Sequence, residues 1–146
     1  MPVRTILCPI DFSKTAEEAL RYAVSVAAQL GARQVHVLHV HQPPVVVLPD
    51  GSVLEEGLPE ARRRAARALE DTVKRYSAHD VELTPHLADG TPYELILAKA
   101  AELGVDLVVM GTHGHHGLKH VLLGSVAERV LRSSRVPVCT VRTPAG

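Results

Sequence analysis

A chain of 146 residues with a formal net charge of +0 and 46% hydrophobic residues has the length for one buried core. It lacks the electrostatic footprint of a nucleic-acid or anionic-membrane binder. No apolar stretch nears the roughly 20 residues of a membrane span. The opening, strand-like Val3-Arg4-Thr5-Ile6-Leu7, is not a signal peptide, so a cytoplasmic location is expected. Cys8 and Cys139 have no C-x-x-C spacing; they do not suggest a disulfide framework or redox site and are expected as buried thiols.

Strand and helix patterns then alternate along the chain. Thr5–Cys8 reads as a first strand, and the helix after Ser13 carries Ala16, Leu20, Ala23, Ala27 and Leu30 on one face before stopping at Gly31. Gln34–Val40 is a second strand. The connector from His41 to about Gly57 holds Pro43, Pro44, Pro49 and Gly51, which argue against regular structure through most of it. Leu58, Ala61, Ala65, Leu69, Val73 and Tyr76 mark the next helix. Its basic run, Arg62, Arg63, Arg64 and Arg67, is mixed with Glu60, Glu70 and Asp71 and reads as a solvated face.

Glu82–His86 is a short third strand. Thr91-Pro92-Tyr93-Glu94 then supplies an N-cap, a proline at the first helical position and a capping-box glutamate. That helix ends at Gly104. Val105–Met110, short and valine-rich, is a fourth strand buried on both faces. A last helix starts at Ser125, with Ser125 and Glu128 spaced as an S-x-x-E capping box, and Pro137–Val141 is the fifth strand. Such alternation implies right-handed crossovers and a parallel sheet covered on both sides: one three-layer α/β/α domain over residues 1–146 with five parallel strands.

After the fourth strand come Gly111-Thr112-His113-Gly114 and, nine residues later, Gly124-Ser125. Glycines permit close backbone approach, and a helix start aims N–H groups at negative charge, which is what a phosphate requires. The spacing is neither that of a P-loop nor the dinucleotide G-x-G-x-x-G. It resembles the G-x-x-G-(nine residues)-G-S/T nucleotide motif of the universal stress protein family. The likeness runs from Ile6-Leu7-Cys8-Pro9-Ile10-Asp11-Phe12-Ser13 to Val136-Pro137-Val138-Cys139-Thr140-Val141.

The resemblance implies strand order 3-2-1-4-5, which brings the ends of strands one and four to one crevice where winding reverses. It also implies ATP, or another adenine nucleotide, as ligand. Asp11 would then meet the nucleoside end, since a carboxylate accepts from ribose hydroxyls or an amine and repels phosphate. Pro9 would lie nearby, Val40 would meet adenine through its backbone, and Met110 would flank the nucleotide. Gly111, Gly114, Gly124, Ser125 and Val126 would surround the phosphates, with Gly124 admitting the ligand where a Cβ would clash. A homodimer through the last strand is implied as well.

Histidines crowd the loop. His113, His115, His116 and His120 could suit a transition metal, but no cysteine accompanies them, and His113 reads better as a phosphate neighbour. Lys119 could add positive charge. His36 and His39 read as packing or rim residues. There is no Walker lysine, no carboxylate pair for two metals and no evident base, so efficient turnover is not expected; magnesium would accompany ATP through its phosphates. The favoured reading is a ligand-responsive nucleotide-binding module. The alternatives are a nucleotide hydrolase or adenylyl transferase of the related α/β group, and a nucleotide-free module acting by protein contacts.

Overall fold

Central strands rich in valine, isoleucine and leucine need cover on both sides, and two helical layers provide it. The computed structural model describes residues 2–42, 46–54, 58–113 and 123–143. Pro43, Pro44, Gly114, His115, His116, Lys119 and His120 lie outside the described residues. The elements in chain order are β1 (Thr5–Ile10), α1 (Lys14–Leu30), β2 (Gln34–His41), β3 (Val46–Val47), β4 (Val53–Leu54), α2 (Leu58–Tyr76), β5 (Glu82–Asp89), α3 (Pro92–Leu103), β6 (Leu107–Gly111), α4 (Ser125–Ser133) and β7 (Val138–Val141).

Five strands form one sheet in the order β5-β2-β1-β6-β7, every neighbouring pair parallel. Counting the sheet strands alone, this is the expected 3-2-1-4-5. Strand alternation sends Ile6, Cys8 and Ile10 of β1, with Val35 and Val37 of β2, into one core with the buried alanines of α1 and Leu69 of α2. Leu7, Leu38, Val40, Val108 and Met110 enter the other, against Ile96 of α3 and Ala127 and Val130 of α4. β1 thus has apolar cover on both faces. Among the described residues no helix is long and apolar enough to cross a membrane.

Several details differ from the sequence reading. β1, β2 and β5 each run further toward the crevice than expected, ending at Ile10, His41 and Asp89. The connector, expected to be largely irregular, holds the antiparallel β3–β4 hairpin. Gly51, at φ 87°, turns it, while Asp50 Oδ1 accepts from Ser52 N and Oγ. Cys8 is fully buried, and burial pushes its thiol far up. Cys139 is only half-buried, because β7 is an edge strand.

The two sheet edges differ. On β5, Glu82 N donates to Arg33 O and Gly90 N to His41 O. Even-numbered positions therefore face β2, and Pro85 faces the free edge, where its missing N–H costs no ladder bond. On β7, Pro137 O and Val141 O accept from Val108 N and Thr112 N, which leaves the backbone groups of Val138 and Thr140 turned outward.

Away from the crevice, His36 of β2 and His86 of β5 meet Nδ1 to Nε2 at 2.8 Å, with Glu82, Lys99 and Glu102 as charged neighbours. Burial, the larger cause, lowers both imidazoles; Lys99 lowers both further, and His36 also lowers His86. His39 is lowered too, again chiefly by burial. A depressed histidine pKa means that the unfolded chain binds more protons just below its ordinary value of about 6.5, so stability is full above that pH and falls as pH drops. Urea unfolding at about pH 7.5 and about pH 5.5 should show this loss. The double variant His36→Leu/His86→Leu should flatten it, leaving the share due to His39; an unchanged slope would refute the assignment.

Candidate functional site

The crevice is built by two strand ends and two helix starts. At the end of β1, Asp11 Oδ1 accepts from Ser13 N at 3.0 Å, and the Ser13 hydroxyl accepts from Ala16 N at 3.1 Å to cap α1. Asp11 therefore supports the turn that starts α1. Between them, Phe12 takes a left-handed φ of 65°, uncommon for a side chain of that bulk. Its ring lies 4.4 Å from that of His39. His39 Nδ1 donates to Ile10 O at 2.9 Å, which fixes the ring and leaves Nε2 as the acceptor.

At the end of β6, Gly111 packs against α1: a Cβ there would stand 2.8 Å from Thr15 Cγ2 and 3.1 Å from the Thr15 carbonyl carbon. Thr112 is buried. Its N donates to Val141 O, and its carbonyl accepts from Gly124 N at 2.6 Å. A Cβ on Gly124 would lie 2.9 Å from that same carbonyl. A side chain at Gly124 would thus meet the protein's own backbone even with no ligand bound. Thr112 Oγ1 and His113 Nδ1 are 3.0 Å apart.

Gly124, not Ser125, is the N-cap of α4, with extended φ and ψ of −71° and 163° and no side-chain cap bond. Ser125 is the first helical residue, and the expected Ser125–Glu128 capping box does not form: Glu128 N donates to Gly124 O, while the Glu128 carboxylate pairs with Arg132. No side chain closes this helix start among the described residues. At α3, Thr91 is the N-cap but makes no side-chain cap bond, and Glu94 Oε1 instead accepts from the Tyr93 hydroxyl at 3.2 Å.

These elements enclose a cleft of about 940 Å³, within the size range of small-molecule sites. Pro9, Asp11, Val40, Met110, Gly111, His113, Gly124, Ser125 and Val126 all line it. Nine of the ten residues singled out in the sequence therefore share one cavity; the tenth, Gly114, lies outside the described residues. His39 stands at the rim, as read, and His36 is buried in packing. The lining also includes Tyr93, His41 and Arg129, which sequence reasoning missed. Buried His41 has an Nε2 without a hydrogen-bond partner among the described residues. Arg129 follows Ser125 by one helical turn, a spacing that could have flagged it. Among the described residues no group of three or more metal-ligating side chains occurs.

The family model of the universal stress proteins matches residues 2–142, and the chain belongs to that family. Universal stress protein MJ0531 of Methanocaldococcus jannaschii is 33% identical over 144 residues, covering 97% of this chain and 83% of the relative. The solved structure of MJ0577, from the same organism, superposes with a TM-score of 0.81 at 31% identity and covers 100% of both chains. A universal stress protein solved in complex with cAMP matches with a TM-score of 0.62 at 26% identity, over 97% of this chain and 98% of that one.

The tight approaches at Gly111 and Gly124 predict that Gly111→Ala and Gly124→Ala each lose about 1–3 kcal/mol of stability without any ligand present. Urea midpoints of the purified variants measure this. Midpoints equal to that of the unsubstituted protein would mean that the contacts relax freely.

Proposed function

We propose that this chain binds an adenine nucleotide, ATP foremost, in the crevice, and acts as a ligand-responsive module rather than an efficient enzyme. The observation that carries the reading is the uncapped start of α4. Ser13 closes α1 with its own hydroxyl, whereas α4 begins on a glycine with no side-chain cap. Its first N–H groups and roughly half a positive charge of helix dipole face the cleft, with exposed Ser125 beside them. In this reading Gly111, His113, Gly124, Ser125 and Val126 surround the phosphates, and Gly114 joins them by its place in the motif. Pro9, Val40 and Met110 border the nucleoside.

Asp11 keeps Oδ2 without a hydrogen bond among the described residues, so its carboxylate can accept from the ribose. Magnesium would remain on the ligand's own phosphates. The relative solved with cAMP supports an adenine nucleotide as the ligand class. Ser125→Asp separates binding from folding. An acidic residue in the first turn favours the helix by about 0.3–1 kcal/mol, yet it repels phosphate. Calorimetric titration should show ATP binding to the parent protein and a loss of about tenfold or more in this variant at undiminished thermal stability. A parent protein that is empty on purification and gives no response to millimolar ATP with magnesium would favour a nucleotide-free module.

We further propose a homodimer through β7. Its outward-facing Val138 and Thr140 backbone groups form an unpaired edge of apolar composition. Thr140→Pro removes one outward N–H and spares the bonds to β6. Light scattering should report a dimer for the parent and a lower mass for the variant; an unchanged mass would count against this edge.

A further inference from the structure

We infer that Arg129, held on the ring of Tyr93, is the cation that recognises the ligand's phosphates; this rests on the nucleotide reading of the crevice. Arg129 is the only lysine or arginine among the described residues lining the cleft. Each nearby acidic side chain has its own partner or place: Glu128 is taken by Arg132, Glu94 receives the Tyr93 hydroxyl, and Asp11 sits at the β1 end. Arg129 forms no ion pair among the described residues. Arg129 therefore brings to the cleft a positive charge outside any ion pair among the described residues, beside the N–H dipoles and imidazoles of the lining.

Its placement fits the task. The guanidinium carbon lies over the Tyr93 ring, 4.7 Å from its centroid, a cation–π contact. The guanidinium N–H donors make no hydrogen bond among the described residues and carry the fork geometry that matches phosphate oxygens. Arg129 lies one turn beyond Ser125, and helical side chains lean toward their own N-terminus. That lean directs the side chain toward the helix start, where the open N–H groups are. Tyr93 comes from the first turn of α3, so the stack spans the two helices that wall the cleft. It holds a long, otherwise mobile side chain in place before ligand arrives, which reduces the ordering cost of binding.

Charge decides the polarity of the ligand. The α4 start alone supplies roughly half a unit of positive charge, too little to offset a di- or triphosphate. With Arg129 in the α3/α4 layer and the Asp11 carboxylate at the β1 end, phosphates are drawn toward the first and the nucleoside toward the second.

Calorimetry with ATP, AMP and adenosine, at low and high salt, tests this on the full chain and on Arg129→Gln, Arg129→Lys and Tyr93→Leu. Arg129→Gln should weaken ATP binding about tenfold or more and change adenosine binding by less than about twofold. Its ATP affinity should also fall less steeply with salt. Arg129→Lys should recover part of the loss, since it keeps the charge and gives up the fork, and Tyr93→Leu should weaken ATP by a smaller factor. If the parent binds ATP and Arg129→Gln keeps both the parent's ATP-to-adenosine ratio and its salt slope, the assignment to Arg129 fails and the crevice stands. If the parent binds neither ATP nor adenosine, the nucleotide reading fails and takes this one with it.

Discussion

The position of β1 governs the molecule. It pairs in parallel with β2 on one side and β6 on the other, and its side chains enter both cores. The connection leaving β1 runs over one face of the sheet and the one entering β6 over the other, so the chain parts above the end of β1 and leaves a crevice. Asp11 and Gly111, a hundred residues apart, meet there for that reason alone. No local propensity of either segment requires it.

What locks the crevice is a set of short backbone approaches. Thr112, directly after β6, ties that strand to two other elements: its N–H reaches β7 and its carbonyl receives Gly124 N at the start of α4, while its side chain meets the neighbouring His113. Gly124 has no room for a Cβ beside that carbonyl, and Gly111 has none beside Thr15. Two glycines of a motif that reads as phosphate-binding are therefore required by packing before any ligand arrives. This explains how a helix start can be left uncapped yet fixed in space: the tie lies on the backbone, and the donors stay open. On the other wall, Phe12 in its left-handed conformation and His39 on the Ile10 carbonyl set the corner from which Asp11 emerges.

Much of this was legible in the sequence because burial on both faces leaves a strong pattern. The valine run of β6, the alanine stripe of α1 and the glycines at Gly31 and Gly104 each gave an element or its end. Strand order came only from the family motif, since periodicity carries no information on which strands are neighbours. The β3–β4 hairpin was hidden because its strands, Val46–Val47 and Val53–Leu54, are too short to show alternation between turn residues. The N-cap of α4 was misplaced by one residue: Ser125 and Glu128 have capping-box spacing, but the close approach of Gly124 to Thr112 fixes the helix one position earlier. Arg129 on Tyr93 and His36 on His86 join separate elements, so no stretch of sequence displays either pair.

Pro85 makes the two margins of the sheet unequal. Its ring sits on the outer side of β5, where another strand would need an N–H, and β7 at the opposite margin carries no such block. A sheet adhesive along both margins could add copies without end and form fibres. One with a single adhesive margin stops after one addition, because the newcomer presents its own proline outward. On the β7 pairing proposed above, association would therefore end at two copies, with Pro85 as the stop.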